Sequence, residues 1–259
     1  MSDNDIYISG LAFHKISTWS FCPRYPVKFD IDEIKSEDLV FLNLDMFTRF
    51  MNILEKNPPP YKFNLITHNS DECFTDAHHK RLQPYVNKIF AINSTCYNQN
   101  VTTIPIGFRD MPVYTIPIIK GTFKQKKEIL IYMNFTIRTN YTKRTECFNS
   151  FVKKPWVTSR SNLPIGEFYN DMAKSKFVLS PEGTGIDCHR IYESIYFDAV
   201  PLLKTSRMDN FYKNLPVLIV DKWEDITEHF LNTNYEGLFN KLVEWKRNNP
   251  NWLDPKAWL

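Results

Sequence analysis

Residues 176–204 read KFVLSPEGTGIDCHRIYESIYFDAVPLLK, and the fold follows from this stretch. Phe177-Val178-Leu179 is a short apolar run bounded by Ser180 and Pro181, the pattern of a strand buried on both faces. A glycine-bearing loop follows, in which Gly183 and Gly185 allow a sharp turn and a close approach to a ligand. Asp187 is a suitable N-cap for the next helix, on which Ile191, Ile195 and Ala199 can face a sheet. Arg190 and Glu193, three apart, share another face near the helix start. Val200-Pro201-Leu202-Leu203 is the following strand. The polar groups of this strand, loop, helix, strand unit gather at the strand's C-terminal end, where open α/β sheets bind ligands.

That place suits a phosphorylated nucleotide. Backbone N–H groups and the Arg190 guanidinium would neutralise a diphosphate, and the Glu193 carboxylate could accept hydrogen bonds from ribose hydroxyls. Neither G-x-G-x-x-G nor G-x-x-x-x-G-K-[ST] occurs here, so a nicotinamide enzyme and a P-loop ATPase are unsupported. On an arbitrary helix Arg190 and Glu193 would be a plain surface pair.

The stretch resembles the nucleotide-sugar motif of exostosin-like glycosyltransferases (family 47), a strand ending in S/C-P-x-G and a helix carrying R-I-x-E-A/S-I-x-x-x-x-V-P-V/L. The matching residues are Ser180, Pro181, Gly183, Arg190, Ile191, Glu193, Ser194, Ile195, Val200, Pro201 and Leu202. The resemblance implies a GT-B fold: two Rossmann-like domains facing each other across a cleft, with the C-terminal helix crossing back to the first. It also implies a donor site of Ser180, Glu182, Gly183, Gly185, His189, Arg190 and Glu193, with Arg190 on the diphosphate and Glu193 on the ribose. Arg138 and Arg144, in NFTIRTNYTKR, resemble the family's phosphate-holding arginine region. The Glu-x7-Glu pattern of related retaining enzymes is absent, because Glu182 and Glu193 lie eleven positions apart, and that favours inversion. The implied partners are a nucleotide sugar, by expectation UDP-linked and a pentose such as UDP-xylose among the options, and a glycan or glycoprotein acceptor. The compact chain is similar to soluble members encoded by large DNA viruses.

Composition sets the class. A chain of 259 residues, 43% hydrophobic and 24% charged, is long enough for two small domains. A net charge of +3 without a basic tract gives nucleic acid little electrostatic support. The polar opening MSDNDIYISG is not a secretory signal, and no apolar run approaches the ~18 residues of a membrane span. Five cysteines without C-x-x-C spacing argue for a reducing compartment and against structural zinc, so a cytoplasmic location is expected. The four N-x-T/S sequons are then incidental.

Residues 6–11 read as a first strand, 19–26 as a proline-broken loop, 39–44 as a second strand and 46–56 as a helix that stops before Pro58. A strand over 63–67, a helix over 76–85, and strands over 88–92 and 101–106 complete one alternation. Residues 108–127, with Pro112, Pro117 and Gly121, are the expected linker, dividing an acceptor-side domain (1–115) from a nucleotide-sugar domain (116–259). Strand 129–133, helix 142–152, strand 156–158 and helix 165–174 lead into the deciding stretch, and strand 215–220 and helix 235–247 follow it.

An inverting transfer needs a base for the acceptor hydroxyl. Thr67-His68-Asn69-Ser70-Asp71 ends a strand and resembles the family's T-H-N-S-D, so Asp71 is the first candidate and His68 the second, ahead of Asp45 and Asp76. An Asx turn is the competing role for Asp71. Ser159 and Arg160 stand where GT-B enzymes usually seat the nucleobase. The Asp30-Ile31-Asp32 triplet lacks a preceding buried strand and reads as a solvated turn, so no metal and no cofactor is expected. The competing class is a nucleotide- or glycan-binding α/β protein without catalysis.

Overall fold

The structure, a computed structural model, describes residues 7–25, 29–110 and 126–259. Its chain divides into two compact α/β units: residues 7–110 with Asn251–Leu259, and residues 126–250. Much of the expected linker, including Pro112, Pro117 and Gly121, lies outside the described residues.

The first unit is a five-stranded parallel sheet in the order β1-β2-β3-β4-β5: Trp19–Phe21, Leu39–Asn43, Phe63–His68, Val86–Ala91 and Val101–Thr103. Because a parallel crossover is right-handed, a sheet built in strictly sequential order places its connecting helices on one face. Those helices are α2 (Phe47–Lys56) and α3 (Asp76–Leu82). Side chains alternate along each strand, so Val40, Leu42, Phe63, Leu65, Ile89 and Ala91 join Phe50, Met51, Leu54 and Leu82 in one core. Phe41 and His68 have the opposite parity. They meet α1 (Gly10–Lys15), whose Phe13 ring lies 5.3 Å from that of His68.

Two expectations fail in this region. Residues 9–11 are not strand: Ser9 caps α1 by accepting the Ala12 N–H, and Ser9 bridges Phe108. Trp19–Phe21, expected in a loop, is the edge strand β1, buried at all three positions. Three residues are too few to show a period, and pairing with β2 decides their conformation.

The second unit carries β6 (Ile129–Met133), β7 (Val157–Ser159), β8 (Ser175–Leu179), β9 (Val200–Lys204) and β10 (Leu218–Val220), all parallel, in the order β10-β9-β8-β6-β7. Its helices are α4 (Tyr141–Phe151), α5 (Ile165–Ala173), α6 (His189–Tyr196), α7 (Asp209–Tyr212) and α8 (Glu228–Asn248). The chain steps from β6 out to β7, then returns past β6 to β8. Crossovers on either side of that reversal fall on opposite faces, which opens a crevice between the C-terminal ends of β6 and β8. One face packs Ile131, Met133, Phe177, Leu179, Val200 and Leu202 against Cys147 and Phe151 of α4 and Leu231, Tyr235 and Leu242 of α8.

The C-terminal segment divides at Pro250. Helix α8 starts seven residues earlier than its apolar stripe suggests, capped by Thr227, and stays with the second core. The tail Asn251–Leu259 packs in the first unit, where Leu253 accepts the Ile8 N–H at 2.8 Å and Trp252 meets Phe108. Each unit is a Rossmann-like parallel sheet, two to the chain.

Candidate functional site

The loops that leave β6 and β8 flank the reversal point of the second sheet. Phe135, two residues past β6, lies beside two guanidinium groups. Arg144 of α4 stands with its Cζ 5.7 Å from the ring centroid, and Arg190 of α6 at 5.8 Å. Both arginines are buried, 6% and 8% exposed. Neither forms an ion pair with a carboxylate among the described residues. Burial, and then the neighbouring Arg190 charge, bring the Arg144 pKa down to about 10. The Arg190 Nε has no hydrogen-bond partner among the described residues.

Arg144 also ties the two loops together. Its Nε donates to the Glu182 carbonyl and its Nη1 to the Thr136 carbonyl, each at 2.9 Å. Asn140 adds a bond from its side-chain amide to the Gly183 carbonyl at 2.9 Å, and Thr184 one to the Thr139 carbonyl at 3.2 Å. The role of Gly183 is close approach: a β-carbon there would lie 2.9 Å from Arg144 Nη2. Gly183 has no positive φ, so the sharp turn expected of it is not what selects glycine.

The other expected donor residues are spread around this core. Ser180 and Gly185 are buried in the β8–α6 loop, and His189 is half-buried at the first position of α6. Glu182 is half-buried and paired with Lys143. Arg138 is exposed, in a 3-10 turn over Ile137–Asn140. Glu193 is fully enclosed, with the Tyr169 hydroxyl donating to its Oε1 at 3.0 Å, so it does not share a solvent-facing surface with Arg190. The N-cap of α6 is Cys188 rather than Asp187. The Asp187 carboxylate instead accepts the Tyr192 and Tyr212 hydroxyls at 2.6 and 3.2 Å and so locks the loop from beneath.

Two cavities adjoin the loops. One of ≈ 100 Å³ lies beyond β8 and β9, between Ser180, Glu182, Lys204 and Tyr212. A groove of ≈ 830 Å³ opens at the ends of β6 and β7, lined by Asn134, Phe135, Thr136, Ser159 and Arg160.

In the first unit, His68 is 1% exposed between the rings of Phe13 and Phe41, and its Nδ1 accepts the Asn69 N–H at 2.9 Å. Asp71 is exposed in the loop after β3. Asp45 accepts the Ser70 hydroxyl at 2.5 Å, and Asp76 opens α3. Asp30 caps a 3-10 turn over Ile31–Glu33 and Asp32 accepts the Asn57 amide at 2.9 Å, so this triplet works as a turn. Among the described residues no group of three or more His, Cys, Asp or Glu side chains is placed to hold a metal, and no helix is long and apolar enough to cross a membrane.

The family model of the RXYLT1 C-terminal domain matches residues 119–252, which include the whole reversal-point crevice. The chain belongs to this family. With it, the chain is an exostosin-like glycosyltransferase, as the motif around Arg190 implied. No curated protein sequence matches the chain. Among solved structures, similarity extends to a UDP-forming α,α-trehalose-phosphate synthase from Burkholderia vietnamiensis, with 10% identity over 86% of this chain and 74% of that one at a TM-score of 0.47. It extends also to the N-terminal domain of trehalose-6-phosphate phosphatase from Candida albicans, with 11% identity over 82% and 68% at 0.44. The strand order carries the fold without them.

For an RXYLT1-family chain, sequence reading had missed Phe135 and the tether from Arg144 to both loops. Phe135 lies two residues past the expected strand 129–133 and belongs to no motif of its own. The resemblance of NFTIRTNYTKR to the family's arginine region pointed to Arg144 itself, but not to the carbonyls it binds. It also missed a polar cluster in the first unit around Asp110. That carboxylate accepts the Leu11 N–H at 2.8 Å, the Tyr25 hydroxyl at 2.9 Å and Arg24 Nη1 at 3.1 Å. Burial pushes its pKa up, but those three donors outweigh burial and hold it below the usual carboxylate value.

Proposed function

We propose that this exostosin-like glycosyltransferase moves a sugar from a nucleoside diphosphate donor, a UDP-sugar with UDP-xylose as the first to try, to a hydroxyl of a glycan, with inversion and without a metal. The observation that carries the reading is the pair of buried guanidinium groups beside Phe135 at the reversal point, neither ion-paired with a carboxylate among the described residues. Two like charges in a desolvated place are costly unless an anion joins them, and a diphosphate supplies the matching charge and acceptors. Arg190 Nε is a donor still to be satisfied, and a phosphate oxygen would do so. The adjoining groove of ≈ 830 Å³ is of ligand size and leaves room for a nucleoside against Ser159 and Arg160.

Inversion is supported by the environments of the two glutamates. Glu182 is paired with Lys143 and Glu193 is enclosed against Tyr169, so neither is disposed as a nucleophile at the sugar. The leaving diphosphate would be neutralised by Arg190 and, through its remaining donors, Arg144, which is the charge a divalent ion would otherwise supply.

The test is thermal unfolding with UDP, GDP, ADP, CMP and S-adenosylmethionine, each with a chelator present. UDP should raise the midpoint, the stabilisation reaching ~2.7 kcal/mol at a hundredfold excess over its dissociation constant. Arg190→Ala should abolish that shift. A protein indifferent to every nucleoside diphosphate would end the donor-site reading, and transfer that fails in chelator but returns with manganese would end metal independence.

A further inference from the structure

The groove of ≈ 830 Å³ in the second unit carries a charged pair at its side. Arg160, the residue after β7, lines the groove, and its Nε stands 3.4 Å from Asp171 Oδ2 on α5. The Arg160 side chain is 52% exposed and that of Asp171 only 13%, with Oδ2 buried and without a hydrogen bond among the described residues. The carboxylate therefore anchors one edge of the guanidinium from α5. The other edge, Nη1 and Nη2, has no partner among the described residues.

Sheet register sets a second groove residue beside it. Strands β6 and β7 pair with Met133 opposite Ser159, and the Arg160 N–H donates to the Met133 carbonyl at 3.0 Å, so Asn134 and Arg160 leave the sheet side by side. Asn134 Nδ2 donates to the Tyr132 hydroxyl at 2.8 Å, which leaves Oδ1 as an acceptor without a partner among the described residues. Burial raises the Tyr132 pKa, and the charges of Asp171, Arg190 and Arg160 all act on its hydroxyl, so these groups share one neighbourhood. Phe135, next in the chain, borders both the groove and the guanidinium pair of Arg144 and Arg190. A nucleoside diphosphate held by that pair has the groove within reach of its base.

Resting on the donor reading above, we propose that Arg160, with Asn134 beside it, selects the nucleobase: the two take a base that shows a carbonyl next to a ring N–H, as uracil and guanine do, and reject one that shows an amino group next to a bare ring nitrogen, as cytosine and adenine do. A guanidinium only donates, so the free Nη groups bond the 4-carbonyl of uracil but meet the 4-amino group of cytosine donor against donor. Asn134 Oδ1 only accepts. It matches the ring N–H of uracil, whereas the equivalent nitrogen of cytosine is itself an acceptor. Each mismatch leaves a polar group unpaired, which is why a hydrogen-bonding site rejects the wrong ligand more sharply than an apolar one. Asp171 is a positioning residue: by holding Nε it turns the remaining donors of the planar fork away from α5. Guanine shows the same edge as uracil on a larger ring, so size and not Arg160 tells those two apart.

The experiment is calorimetric titration of UDP, CDP, GDP and ADP into the wild type, Arg160→Met and Asp171→Asn, which varies the base while the ribose diphosphate stays the same. The wild type should prefer UDP to CDP by roughly ten- to a hundredfold, the discrimination expected of a paired base contact. Methionine keeps an apolar stem and removes the donors, so Arg160→Met should weaken UDP and bring that ratio to about threefold or less. GDP should weaken with UDP in this variant, and ADP should change as little as CDP. Asp171→Asn should lower the ratio partway with Arg160 still present, a change that a general loss of stability would not produce. A wild type that binds UDP and CDP alike overturns the base assignment without any variant. So does an Arg160→Met protein that weakens all four ligands by the same factor, which would put Arg160 on the shared ribose diphosphate. A wild type that binds none of the four removes the donor reading and this one with it, a result distinct from equal binding.

Discussion

At Gly183 the space left by a missing β-carbon is filled by the end of Arg144, which two carbonyls already hold and which therefore has no cheap way to retreat. Gly183→Ala should cost ~1–3 kcal/mol of stability, as overpacking does, and should also weaken UDP binding by displacing a guanidinium from the crevice. Chemical denaturation and a UDP titration of the same variant check both; full UDP affinity at reduced stability would detach Arg144 from the donor site. The sequence shows Gly183 and Arg144 but not that they touch, because thirty-eight residues separate the Arg144 side chain from the carbonyl it binds. Arg190 was legible because its motif is local. The enclosure of Glu193 was not, since helical spacing places it near Arg190 but cannot show α5 bringing Tyr169 over it.

Among the elements, α3 shows how a local cap couples stability to pH. Thr75 and His78 form a reciprocal capping box, in which the neutral His78 Nδ1 accepts the Thr75 N–H at 3.1 Å while the ring packs edge-on against Phe47. Burial lowers the His78 pKa, against the field of Glu72. A folded-state pKa below the unfolded value of 6.5 means that the unfolded chain binds more protons in acid, so stability rises with pH there and is lost as pH falls from 6.5 through the folded-state value. His14 acts in the same direction. Denaturant midpoints measured between pH 8 and pH 5 should fall below pH 6.5, and His78→Gln, whose amide oxygen can accept the same N–H, should flatten that slope; an equal slope in the variant would remove His78 from the effect. Strand reading succeeded where apolar runs are long, as at Leu39–Asn43 and Ile129–Met133, because burial on both faces leaves an unbroken signature. It failed at α1 and β1, where a six-residue helix and a three-residue strand fall below the length at which either period declares itself.

At the scale of the whole chain, the two sheets share a composition but not a topology, and that difference places the chemistry. A strictly sequential sheet has no reversal point, so the first unit gathers its polar groups where α1 and the loops after β1, β3 and β5 meet, whereas the second has a crevice in its strand order. The last nine residues belong to the first unit although the helix before them belongs to the second, so the first unit is completed only when the far end of the chain has been made. Trp252 is 7% exposed against Phe108, and Leu253 receives the Ile8 N–H just before α1 and His14. Trp252→Ala should therefore cost ~3–5 kcal/mol, the usual range for a buried tryptophan, and the loss should be felt in residues 7–110. Peptide-resolved amide exchange reads this directly, because local stability is reported by local protection. Protection should drop across α1 and β1–β3 and hold across β6, β8 and β9, with the UDP-induced shift retained and transfer reduced. Equal loss of protection in residues 126–250 would overturn the assignment of the tail to the first unit.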